Sequence, residues 1–381
     1  MKLLIINTLE IPSGLASVNR ILSIGKGLVE NGDEITILSS SQGNDAEFHF
    51  ISGIKYSNLA SKNKRIVGLF ESFIKILRYL NSNKHCIDVL WVVSNSPLLI
   101  IPLWIACKCY GIKYIMEKSE FPFVLMKKGI LAKIWGKFYV NTIYKLFDGM
   151  IIMTQPLYDY FKKLVRKDCI LIKLPMTVDM SRFENITSTN DYGDYAAYCG
   201  NMSGNKDGID NLIEAFSYVE PKYPDFKLVL VGGANTQEEF ERVKQKARDL
   251  KLKNVVFTGR VSRDEIPSIL SNAKVLCLAR PSSLQSTGGF PTKLGEYLAT
   301  GRPVVVTAVG EIPGYLNRDN SFIVEPDNNK EFGERINEVL TDYEKASLVG
   351  LEGKKVAQLN FNYKIQSTRL HNFLSTLVKN E

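Results

Sequence analysis

Short apolar runs alternate with longer amphipathic stretches along this chain. Lys2–Asn7 (KLLIIN) has the pattern of a buried strand. Pro12, Ser13 and Gly14 then mark a loop, and Val18, Ile21, Leu22, Ile24 and Leu28 recur at helical spacing until Asn31-Gly32. Glu34–Leu38 is the next strand. Strand, glycine-bearing loop, helix, strand is the opening unit of a doubly wound parallel sheet. The order continues through strands at Asp88–Ser94, Lys113–Glu117, Asp148–Thr154 and Ile170–Leu174, with a buried helix expected over Pro97–Cys109. A polar linker, Glu184–Asp194, follows. A second series then runs through Tyr195–Cys199, Lys227–Val231, Val255–Gly259, Lys274–Ala279, Pro303–Thr307 and Phe322–Pro326, and closes on helices over 328–341 and 343–378. The pattern predicts an α/β protein with two Rossmann-like domains, residues 1–185 and 195–360, and a terminal helical segment, 361–381. The Gly-x-Gly-x-x-Gly fingerprint is missing from the first loop, so a dinucleotide is not indicated.

The most informative stretch is 280–307. Ser282–Gly289 are turn formers, and Gly288-Gly289 permits close backbone approach to a ligand. Pro291 suits the first position of a helix that runs to Ala299 and stops at Gly301. A glycine-rich loop entering a helix N-terminus between parallel strands is an anion site, because free N–H groups and the helix dipole both favour a phosphate. Glu296, five residues in, lies beyond capping reach and is placed to accept from a hydroxyl pair. A second loop, Gly200-Asn-Met-Ser-Gly-Asn-Lys-Asp-Gly208, is phosphate-sized and carries Lys206 as a point charge. In the first domain, the residues just past strand ends include Glu117 and Glu120, candidate carboxylates on the acceptor side.

The run Gly289-Phe-Pro-Thr-Lys-Leu-Gly-Glu-Tyr-Leu-Ala, followed by Gly301 and Pro303-Val-Val, resembles the donor-site motif of family-four retaining glycosyltransferases, in the variant of bacterial surface-polysaccharide enzymes. The resemblance implies the GT-B fold: two facing Rossmann-like domains, a deep cleft between them, acceptor on the N-terminal side and nucleotide sugar on the C-terminal side. It implies that Gly288, Gly289, Phe290, Thr292, Lys293 and Glu296 bind the donor, with Glu296 on the ribose. Gly288 stands where the family has a sugar-facing glutamate. Gly200 to Gly208 resembles a loop whose arginine and lysine neutralise the leaving diphosphate. Lys206 keeps the lysine, and Asn201 replaces the arginine. Val255–Val261 resembles the strand end that reads the base, which adds Arg260 and Val261; Arg260 and Arg280 are candidates for the missing charge. Gly14 inherits an approach to the diphosphate. Pro175–Phe183 resembles the family's inter-domain segment, and the last helix is expected to cross back to the first domain. The catalytic candidates are Lys206 and Glu120; the histidine that many relatives carry near Glu120 is not present.

The implied activity is retaining transfer from a UDP-, GDP- or ADP-sugar to a saccharide, polyprenyl-linked or otherwise, in capsule, exopolysaccharide or O-antigen synthesis. No Asp-x-Asp occurs, so neither a metal nor a further cofactor is expected. A non-catalytic GT-B partner subunit is the alternative, supported by Gly288 and Asn201.

Composition alters this picture in one respect. The chain of 381 residues is 45% hydrophobic and 23% charged, ordinary for a globular protein, with net charge +8. Residues 1–185 hold 24 basic and 15 acidic side chains, against 24 and 25 in the remainder, so the first half is +9 and the second −1. The first half also holds two basic amphipathic stretches, 62–80 and 127–147, the latter with Trp135, Phe138, Tyr139 and Tyr144. These point to an anionic membrane surface and a peripheral location on the cytoplasmic face. No nucleic-acid module is recognisable. Cys107-x-Cys109 has the wrong spacing for zinc, and all six cysteines are expected to be reduced.

Overall fold

The structure is a computed structural model that describes residues 1–13, 15–42, 47–60, 65–122, 130–187 and 191–379, with side chains undescribed at 42, 65–67, 69 and 130–134. The chain divides into two compact units, Met1–Thr177 with Tyr363–Glu381, and Val178–Asn362.

The first unit runs β1 (Lys2–Asn7), α1 (Ala16–Glu30), β2 (Glu34–Gln42), β3 (His49–Ile51), β4 (Ile54–Ala60), α2 (Arg65–Asn83), β5 (Val89–Val93), α3 (Pro97–Tyr110), β6 (Lys113–Lys118), α4 (Ile130–Ile143), β7 (Gly149–Ile152), α5 (Gln155–Lys162) and β8 (Ile170–Lys173). The second runs β9 (Tyr195–Cys199), α6 (Ile209–Phe216), β10 (Lys227–Val231), α7 (Gln237–Asp249), β11 (Val255–Gly259), α8 (Ile266–Asn272), β12 (Val275–Leu278), α9 (Leu284–Gly288), α10 (Thr292–Thr300), β13 (Val304–Thr307), β14 (Phe322–Val324), α11 (Asn329–Thr341) and α12 (Tyr343–Asn360). The last helix, α13 (Tyr363–Lys379), belongs to the first unit.

The first sheet has strand order β3-β4-β2-β1-β5-β6-β7-β8, parallel except for the β3–β4 pair; the second has order β11-β10-β9-β12-β13-β14 and is parallel throughout. In each the order reverses beside the first strand, between β1 and β5 and between β9 and β12. These are the switch points at which α/β sheets open a crevice past their strand C-termini. The strands are apolar on both faces because both are covered: Ile5, Ile37, Trp91 and Ile115 pack towards α1 and α13, and Leu90, Val92, Tyr114 and Met116 towards α2, α3 and α4.

Several elements differ from the sequence reading. Ser282–Gly289 is not an open loop: Ser283 and Ser286 form a reciprocal capping box that nucleates α9. Pro291 is the N-cap of α10 rather than its first residue, and Gly301 ends the helix at φ 77°, a conformation glycine adopts without penalty. The helix expected over 343–378 breaks at Phe361-Asn362, where Phe361 turns inward against Phe290 and Tyr315. The 3₁₀ turn Met180–Phe183, assigned by sequence to a domain ending at 185, packs with α10 and α8 in the second unit. Helix α3, expected to be buried, is covered on one side only: Leu99, Ile100, Leu103 and Cys107 are buried, and Leu98, Ile101 and Ile105 face outward.

Candidate functional site

In the second unit, the loops leaving β9 and β12 lie side by side at the C-terminal edge of the sheet. Gly208 makes this approach possible: its φ is 72°, and a methyl there would overlap the Ala279 carbonyl. One charged cluster joins the two loops. Lys293, in the first turn of α10, places its Nζ 2.5 Å from Asp207 Oδ2 and 2.9 Å from the Tyr198 hydroxyl. That ammonium occupies the space where a Gly200 side chain would project, so a side chain there would displace it from this position. Burial pushes the Asp207 carboxyl up, but Lys293, Arg280 and Lys206 outweigh it and hold the group below its ordinary value. A lysine at a helix N-terminus opposes the dipole, and α10 has no side-chain cap. Asp207 supplies the compensating negative charge.

The other sequence candidates divide sharply. Arg280 is buried and acts as a strut: it reaches Asp207 Oδ1 at 3.5 Å, donates to the Lys206 and Gly289 carbonyls, and accepts from Thr307 at its own carbonyl. Its charge is thus engaged by Asp207 and two backbone carbonyls rather than exposed on the loop. Asn201 accepts from Ser203 N–H and donates to Asn235, which shapes the loop without adding charge. Lys206 lies exposed on the same loop. Gly288 is buried as the last residue of α9, and the Gly289 N–H donates to the Gln285 carbonyl, so this N–H is taken up within the fold rather than offered to a phosphate. Phe290 is buried among aromatic rings, 5.6 Å from Tyr315 and 5.4 Å from Phe361, and is a packing residue. Thr292 is half-buried in the first turn of α10, Val261 is half-buried and Arg260 is exposed just past β11. Gly14 lies outside the described residues.

Glu296 accepts from Arg182 at 2.7 Å, and Arg182 also donates to the Arg263 carbonyl. Burial, then the neighbouring Arg182 charge, lowers the Arg263 pKa. The carboxylate is thus oriented by the 3₁₀ turn that sequence had placed in the other domain.

In the first unit Glu117 is not an available carboxylate. It is ion-paired with buried Arg20, which also donates to the Leu174 and Pro175 carbonyls. Glu120 is half-buried beyond the end of β6. Beside it Lys118 is buried, donating to Asn95 Oδ1 and lying 5.4 Å from the centre of the Tyr144 ring; burial lowers its pKa to about 8. Sequence reasoning did not single out Asp207, Tyr198, Arg182, Arg20 or Lys118. Asp207 lies between Lys206 and Gly208, Arg182 within Pro175–Phe183 and Lys118 between Glu117 and Glu120, so each of these three is adjacent to residues that the sequence had marked. Among the described residues no cluster of His, Cys, Asp and Glu suits a metal ion.

Comparison with known proteins agrees with this architecture. Residues 181–356 match the family model described as Glycosyl transferases group 1. The chain is 26% identical over 182 residues to a GDP-mannose-dependent monoacylated alpha-(1-6)-phosphatidylinositol monomannoside mannosyltransferase of Corynebacterium glutamicum, covering 47% of this chain and 46% of the relative. It is 28% identical over 183 residues to the capsular polysaccharide biosynthesis glycosyltransferase CapM of Staphylococcus aureus, covering 48% and 46%. These matches span about half the length of the curated relatives. Among solved structures, a sucrose-phosphate synthase from Thermosynechococcus elongatus superposes with a TM-score of 0.79 at 16% identity over 100% of both chains. Anabaena HepE in complex with UDP-glucose gives 0.76 at 16% identity over 99% of this chain and 100% of its own. The whole chain therefore has the GT-B fold, and the residues that match the group 1 glycosyltransferase model, 181–356, fall in the second unit.

Proposed function

We propose that the protein transfers a hexose from a nucleotide diphosphate sugar to a saccharide acceptor, with the diphosphate seated where α10 begins. The observation that carries this reading is the Lys293–Asp207 pair at an uncapped helix N-terminus. The ammonium is already in place and its counter-ion is a side chain, so an incoming diphosphate can take over from Asp207. As the anomeric C–O bond breaks, charge builds on the departing phosphate, and Lys293, Lys206 and the helix dipole stabilise it without a metal. Glu296, oriented by Arg182, takes the ribose hydroxyls. Glu120 is the carboxylate offered to the acceptor hydroxyl, and the configuration at the anomeric carbon is retained. Support for a nucleotide-sugar donor comes from the relatives: one is named for GDP-mannose and one structure holds UDP-glucose. CapM's name favours a capsule-type acceptor; that the acceptor is lipid-linked and met at the inner face of the plasma membrane belongs to the same proposal. No described helix is long and apolar enough to cross a membrane.

Thermal stabilisation by a panel of UDP-, GDP- and ADP-sugars tests the reading. One donor class should raise Tm, the Glu296→Ala variant should lose most of that rise, and EDTA should leave turnover unchanged. No rise with any donor overturns the proposal. Stabilisation without turnover on any saccharide favours instead a nucleotide-holding partner subunit, a reading supported by Gly288 and the uncharged Asn201.

A further inference from the structure

Helices α2, α3 and α4 cover one face of the first sheet, packing through Ile76 and Leu80, through Leu99, Ile100, Leu103 and Cys107, and through Tyr139 and Ile143. Each connects parallel strands, so each begins at the C-terminal edge of the sheet and runs back. Their outer side is unusually apolar. Leu98 is 85% exposed, Phe70 65%, and Trp135 and Phe138 57% each. On α3, Leu98, Ile101 and Ile105 are three and four residues apart and form one stripe, which Lys108 extends by a further turn. On neighbouring α4, the Trp135 and Phe138 rings lie 5.7 Å apart with exposed Lys137 between them in sequence, and exposed Lys145 lies just past the helix end. Neither α3 nor α4 contains an aspartate or a glutamate.

A contiguous apolar surface of this kind on a folded chain marks an interaction site, and the charges around it select the partner. A second copy meeting this face about a two-fold axis would bring lysine against lysine. By contrast α12, whose Leu348, Leu351 and Leu359 are also exposed, interleaves them with Glu344 and Glu352, as an ordinary solvated helix does. On the α2–α4 face Asp148 pairs with Lys108 at 2.8 Å and Glu71 adjoins Phe70, while Lys137 and Lys145 flank the exposed α4 rings. Exposed apolar side chains with basic neighbours match the boundary between acyl chains and anionic headgroups.

We propose that the outer face of α2, α3 and α4 is a bilayer-docking surface: Leu98, Ile101, Ile105, Trp135 and Phe138 enter the acyl boundary while Lys137 and Lys145 contact anionic headgroups. Phe70, Leu98, Ile101 and Trp135 lie in the N-terminal halves of their helices, so the layer docks tilted. The strand C-termini, with Glu120 just beyond β6, then sit nearest the lipid. This surface is independent of the donor chemistry, although it places the acceptor edge where a lipid-carried saccharide would arrive.

The test is co-sedimentation of the full chain with vesicles of phosphatidylglycerol and phosphatidylethanolamine, and with neutral phosphatidylcholine vesicles. Binding should rise with the anionic fraction and fall with salt, and Trp135 emission should shift to the blue in the bound state, a change missing in Trp135→Phe. The double variant Leu98→Glu/Ile101→Glu should lower vesicle partitioning about tenfold or more while its unfolding temperature, measured alongside, stays within a few degrees of the parent. Partitioning unchanged in that variant assigns the membrane contact elsewhere and overturns the proposal. So does a parent chain that ignores anionic vesicles at low salt but forms a dimer that the double variant abolishes. Nucleotide-sugar stabilisation, measured on the same samples, separates failure here from failure of the transferase reading.

Discussion

The two sheets end in similar crevices yet treat their buried charges in opposite ways. At the edge of the second sheet, Lys293 and Arg280 share Asp207, and Glu296 holds Arg182. Lys293, Asp207, Arg182 and Glu296 remain partly open to solvent, so an arriving anion or hydroxyl pair can exchange with these contacts. At the edge of the first sheet, Arg20 and Glu117 are sealed together, while Lys118 has an amide and an aromatic ring as its described contacts. Under the function proposed above, the second pattern is a site whose internal ion pairs stand in for ligand. The first is a fold-holding pair beside a lysine whose burial costs stability. A buried ion pair stabilises little in net terms, but removing one partner strands the other. A pair that keeps some solvent access, as Lys293–Asp207 and Arg182–Glu296 do, opens at lower cost than a sealed one.

The largest expected effect tests the sealed pair. Arg20→Met leaves Glu117 charged and buried and frees two backbone carbonyls, and should destabilise the first unit by about 3–5 kcal/mol, read by denaturant unfolding. A loss below about 1 kcal/mol would remove the contrast. Next, Lys293→Met should lower turnover by roughly 10²–10³-fold with little change in Tm, because Arg280 still balances Asp207. A large Tm loss with unchanged turnover per folded molecule would make Lys293 structural. Lys206→Ala, on an exposed loop, should cost turnover less than Lys293→Met does.

Lys118 gives a pH test. Burial lowers its pKa from the ordinary 10.5 to about 8, so between these values the unfolded chain holds a proton that the folded chain has lost. Stability should therefore rise with pH across that window, and the penalty is fully present below pH 8. Lys118→Met should remove the rise and stabilise the protein near neutral pH by about 3 kcal/mol; a flat parent profile between pH 8 and 10.5 would contradict this. The smallest effect is expected at Arg242, whose pair with Asp210 is largely solvated. Arg242→Ala should change stability by less than about 1 kcal/mol, and a larger loss would mean that exposure is not what separates the two kinds of pair.

Legibility in the sequence follows the same division. The second unit was readable because its ligand edge is local: Pro291, Glu296 and Gly301 fall within one strand–loop–helix, and short-range rules for caps and glycine act there. The first unit was less so. Glu117 looked available because its partner, Arg20, lies 97 residues away, and no periodicity links the two. Helix α3 looked buried because its sequence is apolar on every side, and hydrophobicity alone cannot say how many sides a fold covers.

The sequence by itself determined the alternation of strand and helix, the doubly wound class, the helix bounds at Pro291 and Gly301, and the charge imbalance between the halves. All of these arise from residues close together along the chain or from simple counting. Tertiary structure alone decided that Lys293 meets Asp207 across Gly200, that Arg280 is a strut, that Arg182 orients Glu296, and that α3 presents leucine and isoleucine outward. Each of these depends on the approach of segments far apart in sequence, where close packing and the need to pair buried charge select among side chains that local pattern leaves equivalent.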